Sequence, residues 1–218
     1  MNKSNIHKPN IQASLAEVTD LLEYWESLER DYPVVNIHAA NLEASNSDFN
    51  RLELSGSRIE RGQFLDSDFD HASFVDMVFD HCDFSNSKFE EVYFQRCEFV
   101  NCRFLGCQMT DCVLRNCFFK ESTFEYANLN GAYFESVEME TCNMAEAFLG
   151  SVRYKSWKAV GTRFVHTNFF KTRLKGFDFS KCELSDIIIS DTMEEIKGAK
   201  ISAVQALEIA RLAGVIVQ

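Results

Sequence analysis

Residues 71–104 read HASFVDMVFDHCDFSNSKFEEVYFQRCEFVNCRF and place phenylalanine at 74, 79, 84, 89, 94, 99 and 104. The period is five. Extended in the same phase, the run goes from Phe49 to Ile189 without an insertion or deletion, and 27 of its 29 positions are Phe, Leu, Ile or Met. Composition alone would put about seven there. The two departures are Tyr154 and Ala159. Neither the 3.6-residue period of a helix nor the alternation of a strand describes this run, so it is read as a repeat array.

A second phase lies two places before each centre, where 24 of the 29 positions hold Ser, Ala, Cys, Thr, Gly or Val. All eight cysteines fall on it, at 82, 97, 102, 107, 112, 117, 142 and 182. Free cysteine packs as a small buried hydrophobe, and none of these spacings is a zinc pattern, so the thiols are read as core and not as metal ligands or disulfides. Trp157 takes a small position just before Ala159 takes a large one, which predicts a local exchange of volume.

The chain has 218 residues, 20 Phe against 16 Leu, and only 2 Pro. That excludes collagen-like and proline-rich disordered chains. With 46% apolar residues it can build a core, and no stretch approaches the length of a membrane span. Met1–Asn10 lacks the apolar centre of a secretory signal, so a cytoplasmic location is expected. The formal charge of −11 opposes binding of nucleic acid by the whole surface.

The centre-and-small pattern resembles the pentapeptide-repeat family, most plainly at Ala127-Asn128-Leu129-Asn130-Gly131, over about two thirds of the chain. The resemblance implies an all-β solenoid: a right-handed quadrilateral β-helix with four pentapeptides per coil, so that positions 20 apart stack. Phe64, Phe84, Phe104 and Phe124 would then form one interior ladder.

An open solenoid needs covered ends. Ser14-Leu15-Ala16-Glu17 reads as a capping box, with Leu15, Val18, Leu22 and Trp25 on one face, and predicts a helix over 14–30. Ile37 and Leu42 are five apart but out of phase with Phe49, which predicts a two-residue adjustment near Ser45. At the other end Ser202-Ala203-Val204-Gln205 predicts a second capped helix. Val204, Leu207 and Leu212, followed by Val215 and Ile216, surround it with more apolar surface than one coil end can cover, so a homodimer is expected there. A fully buried monomeric cap is the alternative. The resulting organisation is 1–45 capping helix and lead-in coil, 46–191 repeat β-helix, and 192–218 last coil and dimerisation helix.

Charge is uneven. Asp66, Asp68, Asp70, Asp76, Asp80, Asp83, Glu90 and Glu91 face only Lys88 in residues 64–91, whereas residues 151–181 carry eight cations against Asp178. Each cluster is either a solvated face or a binding surface. Phe148, Phe170 and Ile188 would share one outer side of successive coils, as a partner contact or as ground for the C-terminal segment. No nucleophile stands beside a base, and no phosphate-binding or dinucleotide motif occurs, so the chain is read as a non-enzyme without cofactor or metal.

The C-terminal residues Ile196-Lys197-Gly198-Ala199-Lys200-Ile201-Ser202, with Gln205-Ala206, Ala210, Leu212 and Gly214-Val215-Ile216, resemble the tail of Qnr-type quinolone-resistance proteins. The lead-in is most similar to the Gram-positive, loop-less branch. This resemblance implies a homodimeric, DNA-mimicking rod that binds DNA gyrase and topoisomerase IV, protects them from quinolones and binds no DNA itself. The alternative is a repeat scaffold for another protein; a carbohydrate-cleaving β-helix would require carboxylates converging in a cleft.

Overall fold

A computed structural model describes residues 6–30 and 32–216. Its strands are β1 (Ala16–Val18), β2 (Val34–Val35), β3 (Ile37–Ala40), β4 (Glu53–Glu60), β5 (Ser73–Asp80), β6 (Tyr93–Val100), β7 (Val113–Lys120), β8 (Tyr133–Glu140), β9 (Arg153–Val160), β10 (Arg163–Val165) and β11 (Glu183–Ser185). Two α-helices flank most of them, α1 (Leu21–Ser27) and α2 (Ala203–Leu212). All strand pairs are parallel, and from Val34↔Leu54 onward each strand pairs with the matching stretch of the next coil, as in Phe74↔Phe94 and Leu114↔Phe134. About eight such turns make the solenoid, roughly 38 Å at 4.8 Å per coil.

Four sides per coil follow from four bends. The eight-residue strands β4 to β8 each bend in the middle at a left-handed residue, such as Asp76 (φ 56°) in β5 or Arg96 (φ 52°) in β6. The other two sides meet their neighbours through single bridges such as Gln63↔Asp83 and Asp68↔Lys88. Nearly every fifth residue from Asn36 to Asp186 has a positive φ, and it is often Asn, Asp or Gly, the types that tolerate it best. Ser156 and Lys181 are the exceptions among the described corners of that phase.

The centres form aromatic columns. Phe64, Phe84, Phe104 and Phe124 stack at 5.1, 5.1 and 4.8 Å with planes within 14°. Phe49, Phe69 and Phe89 form a second column at 5.0 and 4.9 Å. Phe79, Phe99 and Phe119 form a third, and edge-to-face contacts such as Phe79–Phe84 lock the columns together.

The small phase does more than save volume. Its hydroxyls and thiols reach the carbonyl of the centre one coil below: Ser87 to Phe64 at 2.6 Å, Cys107 to Phe84 at 2.8 Å, Cys97 to Phe74 at 3.3 Å. Ser87 and Ser122 also accept from Ser67 and Cys102 N–H, closing the ladder where the backbone corner leaves a donor free. All eight cysteines are free, and all but Cys182 are buried.

Two expectations are corrected. No helix spans 14–30: Ala16–Val18 is a strand paired with β3, and α1 begins only after Asp20, whose carboxylate accepts from Glu23 N–H at 2.9 Å. The edge of the first coil is better satisfied by a strand than by the Ser14 box, and α1 still covers the end, with buried Trp25 over Phe49 at 6.5 Å. The two-residue adjustment near Ser45 is absent as well, because His38↔Arg58 and Asp48↔Asp68 already keep the coil register. Ile37 and Leu42 take the small phase while Ala39 and Ala44 take the centre, so the lead-in exchanges volumes without changing register. The register instead breaks at the far end, where Asp178 pairs with Lys200 in place of Gly198.

The exchange at Trp157 and Ala159 occurs as expected. Both are buried, Trp157 lies 4.6 Å from the Phe177 ring and 5.2 Å from Phe134, and the β8–β9 register slips at Ser156, which pairs with Glu135. The Trp157 Nε1 and Tyr154 hydroxyl are buried without a hydrogen-bond partner.

Candidate partner-binding surfaces

A period of 20 distributes residues that are neighbours in sequence over different sides of the rod. Asp68, Asp70 and Glu90 flank the Phe69–Phe89 column, and Asp66 stands at one edge of that side. Asp76 sits at the corner between the Phe74 and Phe79 columns, Asp80 beside Phe79, and Asp83 beside Phe84. Three of the predicted acidic residues therefore point elsewhere than the other four. All seven are wholly or partly exposed.

Cations on the next coil neutralise part of this charge. Arg96 forms a two-pronged pair with Asp76, Arg103 lies 3.6 Å from Asp83, and Lys88 lies 3.6 Å from Asp68. Asp80 instead meets its chain neighbour, its carboxylate 2.6 Å from His81 Nδ1. Among the described residues Asp66, Asp70 and Glu90 have no ion pair; Asp70 accepts from Glu90 N–H at 2.7 Å. The pairing rule extends along the rod: Arg115 and Lys155 both meet Glu135, Lys158 meets Glu138, and Arg163 meets Glu183, each across one coil step. Adding 20 to each charged position would have found these pairs in the sequence.

Phe148 and Ile188 lie in one column through Asn168, on the same side as Asp68 and Asp70 but at the far end, with Phe170 beside them. They are 43%, 48% and 44% exposed, so the C-terminal segment does not cover them. On α2, Ser202 and Gln205 make the predicted capping box. Gln205 Nε2 also donates to the carbonyls of Phe179 and Cys182 at 2.8 and 2.7 Å, which pins the helix to the last coil. Val204, Leu207, Leu212, Val215 and Ile216 remain exposed, from 40% at Leu212 to 86% at Ile216.

The N-terminal segment follows a course that the sequence does not signal. Asn10 N–H donates to Asp76 at 2.9 Å and His7 N–H to Asn116 at 3.5 Å, so the chain lies along the outside of the rod at one corner. No periodicity marks such a segment. Among the described residues no three or more His, Cys, Asp or Glu gather as a metal site, and no helix is long and apolar enough to cross a membrane.

Four-sided parallel coils with stacked centres and left-handed corners define a quadrilateral β-helix. Residues 72–149 match the family model described as a pentapeptide repeat region, and the coils before them keep the same register. No curated protein matches it. Among solved structures it is similar to full-length QnrB1, a plasmid-mediated fluoroquinolone resistance protein, at 18% identity and a TM-score of 0.31, covering 84% of this chain and 99% of that one. It is also similar to HetL, a pentapeptide repeat protein involved in heterocyst differentiation regulation from Nostoc sp. strain PCC 7120 (12% identity, TM-score 0.33, 84% and 93% covered). A third is Rfr23 from Cyanothece 51142 (12%, 0.32, 83% and 97%). At these scores the likenesses carry no functional argument.

Proposed function

We infer that the rod is a non-catalytic binding protein whose unpaired carboxylates occupy a phosphate-binding surface on a type II topoisomerase, DNA gyrase or topoisomerase IV, and protect it from quinolones. The observation that carries this reading is that Asp66 and Asp70, with Glu90 one coil on from Asp70, have no ion pair among the described residues, beside the Asp68–Lys88 pair. Carboxylates repeated along a stiff rod present regularly spaced negative charge, and a cationic groove made for nucleic acid attracts such a surface by salt-sensitive steering. The C-terminal tail supports the same reading through its resemblance to Qnr-type proteins, and the exposed apolar residues of α2 support a homodimer. The test is rescue of gyrase supercoiling from a quinolone by the purified protein. Rescue that weakens when Asp66, Asp70 and Glu90 are changed to Lys, with the melting temperature kept, supports the reading; absence of both binding and rescue at low salt rejects it.

The pairing of Asp76 with Arg96 and of Asp83 with Arg103 favours a second reading, a repeat scaffold for a different protein. Binding that persists after the aspartates are reversed would select it.

A further inference from the structure

The coil-to-coil pairing of opposite charges leaves a group of cations over at one corner. Thr172 stacks on Val152, its hydroxyl accepting from Val152 N–H at 2.9 Å, so the next residues, Arg173 and Arg153, stand one coil apart on the same side. Lys155 has its carboxylate in Glu135. Among the described residues Arg153, Lys171, Arg173 and Lys175 have none within ion-pair distance. Like charges on neighbouring coils lower stability, and these cations lack the alternation that Lys155 and Glu135 show beside them.

These cations line a shallow cleft of about 500 Å³ together with Ser151 and Tyr154. Ser151 and Lys171 also line a second cleft of about 440 Å³ on the adjoining side, together with Phe170 and Asn168. Lys171 turns the corner between them, its Nζ 5.1 Å from the centre of the exposed Phe170 ring. Phe148 and Ile188 continue the apolar part. One surface therefore holds exposed aromatic side chains beside two arginines and two lysines, the composition of a protein-binding hot spot. It is two coils tall, about 10 Å, which suits a few carboxylates and not the many phosphates of a duplex.

We propose that this corner is a docking site for a protein segment that carries carboxylates next to an apolar side chain. The carboxylates meet Arg153, Arg173 and Lys175, the apolar group lies on Phe170 between Phe148 and Ile188, and Lys171 serves both. The site is distinct from the acidic coils and does not depend on the topoisomerase reading.

The test is selection of random twelve-residue peptides displayed on phage against the immobilised full chain, followed by fluorescence titration of the selected peptide. Enrichment of Asp or Glu beside Phe, Leu or Trp is expected. Binding should fall at least tenfold with Arg153→Glu, Arg173→Glu or Phe170→Ser, and stay unchanged with Lys120→Glu on another side. Arg173→Glu should also raise Tm by about 1–3 °C, because it gives Arg153 the partner its neighbours have. Phe170→Ser keeps the test open should a charge reversal misfold. The proposal is overturned by the absence of an enriched motif, by selected peptides indifferent to these substitutions, or by a lower Tm for Arg173→Glu. A short DNA duplex binding these residues more tightly than any peptide would assign the patch to nucleic acid instead. Substitutions that dissolve a dimer of the chain would assign it to self-association.

Discussion

Arg96 holds Asp76 from one coil above, Nε to Oδ1 at 2.6 Å and Nη2 to Oδ2 at 2.7 Å, and the same Oδ1 accepts from Asn10 N–H at 2.9 Å. One carboxylate thus joins two coils and the N-terminal segment. The hydrogen bond from Arg96 holds its pKa below the ordinary carboxylate range, against the opposing effect of burial. A folded pKa below the unfolded one gives stability that is present above the unfolded value, near 3.9, and lost as pH falls through the folded value. Asp76→Asn keeps a residue suited to the left-handed corner and should cost about 1–2 kcal/mol at pH 7. Urea melts should show the difference from the unmodified chain narrowing toward pH 3.

Phe84 is the middle of a stacked column, whereas Glu90 points to solvent. Phe84→Ala should cost about 3–5 kcal/mol by opening a cavity between Phe64 and Phe104. Glu90→Ala should stay within about 0.5 kcal/mol. Equal losses in denaturant would contradict the inward assignment of the repeat.

Burial raises the thiols: Cys142 and Cys182 reach about 11, and Cys107 and Cys112 go higher. A thiol whose folded pKa lies above its unfolded value, about 8.5, stabilises fully below that value and loses the contribution as pH rises. Tm should therefore hold from pH 7 to 8 and fall above pH 9, less steeply for Cys107→Ala relative to its own value at pH 7. Iodoacetamide labelling followed by mass spectrometry should modify partly exposed Cys182 first.

Gly131 and Gly176 have φ of 76° and 84°, but only at Gly131 would an added Cβ press on a neighbour, the Asp111 side chain. Gly176→Ala isolates the backbone penalty, about 1 kcal/mol. Gly131→Ala should cost more, and chemical denaturation of the two variants measures the difference.

Leu212→Asp and Leu207→Asp place a charge on the exposed apolar side of α2. Light scattering should find a dimer for the unmodified chain and a folded monomer for either variant. A monomer before substitution would remove the homodimer from the proposed function.

The core was legible because its spacing is rigid: a centre such as Phe84 needs an apolar residue whatever surrounds it. Local signals were weaker where a distant segment competed for the same backbone. Ser14 and Glu17 match a capping box, yet pairing of Ala16 with Ile37 outweighs it. Ile37 and Leu42 suggest a shifted phase when size is read without its partner, and only Ala39 and Ala44 reveal the exchange. The surfaces were the least legible. Asp68 and Asp80 are close in sequence but lie on different sides, while Asp68 and Phe148 are far apart in sequence and share one, linked through Lys88, Gln108 and Asn128.

That sharing makes the rod a kind of gear. One pentapeptide added or removed would leave the interior phase intact, centre on centre, but turn everything beyond it by a quarter revolution. Coils can thus be gained in units of four pentapeptides without disturbing the angle between the acidic coils near Asp68 and the exposed Phe148 and Ile188, whereas any smaller change re-aims one relative to the other. Selection acting on a partner that touches both would therefore hold the number of repeats between them to multiples of four, while the core by itself would accept any number.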